Sequence, residues 1–176
     1  MRPEAEFVLQ ALEDVVQAQP PEHPLWRVDR DNSEIYDGRG PIDMTEPMHK
    51  RKGELEKANF VGVAWESRSG NPVGTDFHVD GDIVASVRLE GMRGGDRSAE
   101  FGHIDPTGLG GVVWTDLYEQ VRGALLDERT YPDHESFRDV KLDLRIANET
   151  DQSSNWRDFY RADFDVVFWF REDPDT

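Results

Sequence analysis

Near the end of the chain, Tyr160, Ala162, Phe164, Val166, Phe168 and Phe170 fall on one parity, while Arg161, Asp163, Asp165 and Arg171 fall on the other. Side chains alternate between the two faces of a β-strand, so this period of two predicts a long strand with one face turned to a core. Val167 and Trp169 break the rule, being apolar on the otherwise polar face. They imply either a second packed layer or a surface that meets another chain. Just upstream, Val140, Leu142, Leu144 and Ile146 alternate with Lys141, Asp143 and Arg145. The two segments, joined through "NETDQSSN", are expected to pair as an antiparallel hairpin.

The same alternation marks three segments in the middle of the chain. Val61, Val63 and Trp65 share a parity in "NFVGVAWE", Phe77 and Val79 in "GTDFHV", and Ile83, Ala85, Val87 and Leu89 in "DIVASVRLEGM". Asp80-Gly81 between the last two is a hairpin-turn signal. Shorter strand candidates lie in "LWRVDRD" and "SEIYDG". Helical spacing replaces the period of two near the N-terminus, where Phe7, Ala11, Val15 and Val8, Leu12, Val16 form a stripe that "QPPEHP" ends. A second helix is expected from about Thr115 to Arg129, with Leu117, Val121, Ala124 and Leu125 on its apolar side and Asp116 and Glu119 near its start.

Helix, strands, helix, strands predicts an α+β fold: a mostly antiparallel sheet with two main helices packed on one face. A Pro-, Gly- and charge-rich stretch at about 37–58 reads as a long loop insertion, and such loops in compact domains are usually functional. At 176 residues the chain is expected to form a single domain over 1–176.

Charge changes the picture. The chain has 37 acidic and 20 basic residues for a net charge of -17, with no cysteine and only four lysines. This resembles a halophile's composition: at molar salt the Debye length is about 3 Å, which screens repulsion among surface carboxylates. The missing cysteines exclude disulfides, thiol nucleophiles and thiolate metal sites. The acidity argues against nucleic acid as the main ligand, although an acidic wall can line a passage through which DNA slides. The longest apolar run, "VVFWF", is too short to span a bilayer, and no membrane association or cofactor is expected.

Four groups of side chains could carry chemistry. His78, Asp80 and Asp82 have ligand types that suit a divalent cation, but a turn at Asp80-Gly81 would separate them. His103 and Asp105 in "FGHIDPTGLGG" could pair as base and orienter, yet no nucleophile elbow accompanies them. No catalytic or metal site is therefore assigned. His49, Lys50, Arg51 and Lys52 form the one basic cluster, in the long loop, where they are expected to dock onto an acidic neighbour or a phosphate backbone. Trp156, Val167 and Trp169 complete the candidate contact residues.

The succession of these elements, with "RDNSEIYDG" at Arg30 to Gly38, "HIDPTG" at His103 to Gly108 and "SNWRDFYRADFDVVF" at Ser154 to Phe168, resembles tail-terminator-like neck proteins of tailed viruses, in particular those infecting halophilic archaea. The resemblance implies a non-enzymatic virion component: a homo-oligomer, usually a hexameric ring, that caps the tail tube and joins it to the connector, with genomic DNA passing through the lumen. It would be assembled in the host cytoplasm and end in the tail or neck of the particle. The alternatives are a head-completion or adaptor ring of the same neck, or a small halophilic metal-binding enzyme.

Overall fold

The computed structural model describes residues 1–38, 40–74, 78–94, 102–105, 107–127 and 144–172. Its centre is a six-stranded sheet built from β1 (Leu25–Asp29), β2 (Glu34–Ile35), β3 (Asn59–Val73), β4 (His78–Met92), β5 (Leu144–Asp151) and β6 (Phe159–Glu172), in the spatial order β2-β1-β3-β4-β6-β5. All neighbours are antiparallel except β1 and β3. The helices are α1 (Pro3–Ala11), α2 (Glu13–Ala18), the short α3 (Lys52–Leu55) and α4 (Trp114–Asp127). The fold is thus α+β with a mostly antiparallel sheet.

Register places the alternating positions as their period demands. Ile83 pairs with Phe168, Ala85 with Val166, Val87 with Phe164 and Leu89 with Ala162, so one face of the sheet is continuously apolar. Against it lie α1 and α4, which contribute Ala5, Val8, Leu9, Leu117, Val121 and Leu125, all 0% exposed. Fully burying one such Leu or Phe stabilises the fold by about 1.5–3 kcal/mol. Pro3 occupies the first turn of α1, where a missing N–H costs nothing, and Glu4 and Glu6 face the positive end of the helix dipole. The single N-terminal helix expected from the stripe is broken at Leu12 (φ -89, ψ 2). The break lets α1 lie on β1, β3 and β4 while α2 leans on α4 and β1.

One expectation is corrected. Asp80-Gly81 is not a turn: β4 runs through it without interruption, with Gly81 opposite Gly70. Glycine is required there by close approach, since a Cβ on Gly81 would lie 1.8 Å from the Ser69 carbonyl oxygen. The reversal comes after Val73, where Gly74 has φ +71. The stretch at 37–58, expected as a long loop insertion, connects β2 to β3 and carries a 3-10 turn at Met48–Lys50 and the short α3. Strands β2 and β3 flank β1 on opposite sides, so the chain must cross over β1, and this segment makes the crossing. It packs Ile42, Met44, Met48, Leu55 and Ala58 onto Val28, Ile35, Phe60, Met92 and Phe159, forming a second core on the other face of the sheet. The predicted strand from Val140 is described from Leu144 onward; Val140 to Asp143, Phe77 and the end of the second helix lie outside the described residues.

Candidate functional site

The basic cluster is divided by the fold. A 3-10 turn at Met48–Lys50 is followed directly by α3, and this geometry leaves His49, Lys50 and Lys52 exposed. Arg51 points the opposite way. Its Nη2 donates to Glu90 Oε2 at 2.5 Å and its Nε to the Glu46 carbonyl at 2.9 Å, with both charged side chains 1% exposed. Arg51 is therefore removed from the candidate contact surface: it fastens the crossing segment to β4. Burial pushes the Glu90 carboxyl above its ordinary range, and the Arg51 charge only partly offsets this.

Beside that pair, Asp163 on β6 accepts from Arg88 Nε at 2.9 Å and from Arg161 Nε at 2.8 Å. Burial acts to raise the Asp163 pKa, but the hydrogen bonds from Arg161 and Arg88 outweigh it, and the carboxyl stays below its ordinary range. Arg88 Nη1 also donates to the Met44 carbonyl at 3.2 Å, a second tie between the crossing segment and β4.

The three aromatic and aliphatic candidates separate as well. Val167 is 5% exposed, opposite Val84 on β4 and Arg145 on β5, so it is withdrawn from the surface rather than offered to a neighbour. Trp169 is half-buried opposite Asp82, with the Arg171 guanidinium 5.6 Å from its ring centroid. Trp156 is half-buried against the second core.

Asp80 and Asp82 do lie on one face of β4, two residues apart, because the strand continues through them. Both carboxylates are spent on arginines: Arg171 grips Asp80 through Nε at 2.7 Å and Nη2 at 2.9 Å, and Arg145 Nη2 donates to Asp82 at 3.1 Å. The side chain of His78 lies outside the described residues, and among those described no three His, Asp or Glu side chains gather in a metal-binding group.

His103 and Asp105 do not form a dyad. Asp105 turns its carboxylate onto the N–H and hydroxyl of Thr107, at 2.8 and 2.7 Å, and onto the N–H of Gly110, which holds it below its ordinary pKa. His103 instead places its Nδ1 3.0 Å from Nδ1 of His23, and its Nε2 donates to the Glu56 carbonyl at 2.9 Å. Since that carbonyl can only accept, the His103 proton sits on Nε2 and the His23 Nδ1–H donates across the pair. Nothing in the spacing of two residues 80 positions apart announces this contact.

The strand lengths define one more feature. β3 has 15 residues and β1 only 5, and the last described bond on the β1 side of β3 is Trp65 N–H to Asp31 at 2.9 Å. A bulge at Glu66 then shifts the register. From Glu66 to Val73 every residue is exposed, and the outer side of β3 has no neighbouring strand among the described residues. Compared with protein-family models and with curated proteins, the chain matches none.

Proposed function

We propose that this protein is a structural ring component of the neck of a tailed virus, of the tail-terminator kind, built from identical copies associated head to tail. The observation that carries the reading is the outer edge of β3 over Glu66 to Val73, which no strand pairs among the described residues, at one side of a sheet whose other side, among the same residues, ends in the bulged strand β5. A closed cyclic assembly joins two unlike surfaces of the same chain, and these two edges differ in length and in the bulge that interrupts β5. Pro72 and Gly70 within the open edge limit indiscriminate strand addition, which favours a shaped contact over fibre growth.

The partners follow from the same reading: further copies of the chain, the tail tube on one side of the ring and the connector or head-completion protein on the other. The net charge of -17 suits a lumen through which DNA passes without adhering. The measurement that tests it is the mass in solution by light scattering after size exclusion, in molar KCl. A discrete species of six 20.2 kDa chains is the expected result, with a ring visible by electron microscopy. A monomer at every concentration, and no binding to tail tubes, would sink the reading. A ring that binds the connector but not the tube would assign it to head completion instead.

A further inference from the structure

Helices α2 and α4 enclose a groove of about 600 Å³ on the helix-covered side of the sheet. Its floor is small and apolar, with Ala11, Val15 and Ala18 from the N-terminal helices and Gly123 and Ala124 from α4. Gln19 Nε2 donates to Gln120 Oε1 at 2.8 Å and bridges the two helices. The rim carries the exposed carboxylates of Asp14, Glu119 and Asp127, and no Lys, Arg or His lines the groove among the described residues. Arg122 of α4 turns instead to Glu149 on β5, at 2.7 Å.

Two features of α4 are unexplained by the chain's own packing. Gly123 lies in the helix interior, where glycine is a poorer helix former than alanine, yet a Cβ there would meet nothing within 4 Å. A partner that approaches the floor closely gives the glycine a reason. Asp127 ends α4, whose last turn holds no basic residue, so its charge meets the negative end of the helix dipole unopposed. A cation placed beside it would relieve both.

The chain itself carries a matching surface. The 3-10 turn Met48–Lys50 and α3 form a short helical knob on the opposite face of the sheet, with His49, Lys50 and Lys52 exposed. None of the ion pairs among the described residues uses Lys50, Lys52, Asp14, Glu119 or Asp127, so both sets of charges are uncommitted. We propose that the crossing segment of one copy docks into the α2–α4 groove of the next, the lysine stems lying on the small apolar floor and the ammonium groups reaching the acidic rim. The two surfaces are unlike and lie on opposite faces, so the contact is heterologous. Charges seated over an apolar floor are screened less than exposed ones, which lets the contact persist at molar salt. The inference rests on the head-to-tail reading above for the identity of the partner.

The test couples amines to carboxylates with a zero-length carbodiimide in molar KCl and maps the linked peptides by mass spectrometry. Lys50 or Lys52 should be joined to Asp14, Glu119 or Asp127 in species of two or more chains. Asp14→Lys/Asp127→Lys should weaken self-association roughly tenfold, and adding Lys50→Glu/Lys52→Glu to the same chain should restore it, a rescue that a merely misfolded variant would not give. Gly123→Met should block association by filling the floor while leaving the thermal midpoint no lower than the parent's. A parent that assembles while Asp14→Lys/Asp127→Lys and Gly123→Met assemble equally well overturns the groove contact and leaves the ring reading standing. The mapped link in a dimer that grows no further keeps the contact and removes the ring. A parent that is monomeric and unlinked overturns both.

Discussion

Arg51 Nη2 lies 2.5 Å from Glu90 Oε2 with both side chains 1% exposed, which makes a buried ion pair the fastening between the segment that crosses β1 and the middle of β4. In such a place desolvation opposes attraction, and the raised pKa of Glu90 records that burial is the larger effect on the carboxylate. The pair thus specifies where the segment sits more than it stabilises the fold.

Removing one partner should be costly all the same, because the other charge stays buried. Arg51→Met is expected to lower unfolding free energy by about 3–5 kcal/mol, and the double variant Arg51→Met/Glu90→Leu to recover most of that loss. Urea unfolding in molar KCl measures both. A single-variant cost no larger than that of an exposed pair, about 1 kcal/mol, would refute the fastening.

The His23–His103 contact predicts how stability depends on pH. Burial lowers the His103 pKa first and the nearby His23 lowers it further, while hydrogen bonding to the Glu56 carbonyl acts against both. A histidine depressed in the fold binds fewer protons there than in the unfolded chain. Its contribution is therefore present above the unfolded value, about 6.5, and is lost as pH falls below it. Asp105, Asp163 and Glu149 are also depressed, but as carboxylates they act in a separate window below about pH 4. The urea midpoint should drop between about pH 7.5 and 5.5, and His103→Gln should flatten that slope. Equal slopes in parent and variant would show that the pair plays no such part.

The apolar face of the sheet was legible because every second position of β4 and β6 is apolar where that face is buried, from Ile83 to Leu89 and from Ala162 to Phe170. The second core was harder to read. Its contributors Ile42, Met44, Met48 and Leu55 come from a segment with neither period, and their partners Val28, Phe60 and Phe159 are scattered over three strands. Val167 and Trp169 lie on the same face of β6 as Phe159, and the crossing segment packs onto that face at the Phe159 end. Asp80-Gly81 misled because glycine serves turns and close strand approach alike, and sequence carries no mark of which. The candidate residues were legible as types but not as partners: Arg51 with Glu90, and His23 with His103, are joined only by the fold.

Salt should decide whether the chain folds. Several exposed arginines are already paired with carboxylates, as Arg145 is with Asp82 and Arg171 with Asp80, and such pairs contribute little. The excess of 37 acidic over 20 basic residues leaves unbalanced carboxylates whose mutual repulsion falls as the Debye length shrinks to about 3 Å at molar salt. Dialysis from molar KCl into dilute buffer is expected to abolish the helix and sheet signals in circular dichroism. Retention of full signal and midpoint in dilute buffer would sink the idea.

Lys50 and Lys52 flank the buried Arg51 and are themselves exposed, so the docking role expected of the basic cluster can be tested only on those two. Reversing Arg51 as well would place a second carboxylate beside Glu90 and unfold the segment, and a lost interaction would then say nothing about docking. Lys50→Glu/Lys52→Glu should change stability by no more than about 0.5 kcal/mol, as exposed substitutions do. If the cluster docks onto an acidic surface of a neighbouring copy, the same variant should remain monomeric in molar KCl under conditions where the parent forms its ring. Trp169→Glu gives the complementary result, since it loads charge onto the end of the sheet that the crossing segment leaves uncovered. Light scattering on both variants separates the two surfaces. A ring retained by the lysine variant and lost by Trp169→Glu would move the contact from the crossing segment to the uncovered end of the sheet, and rings retained by both would remove the two surfaces from the assembly.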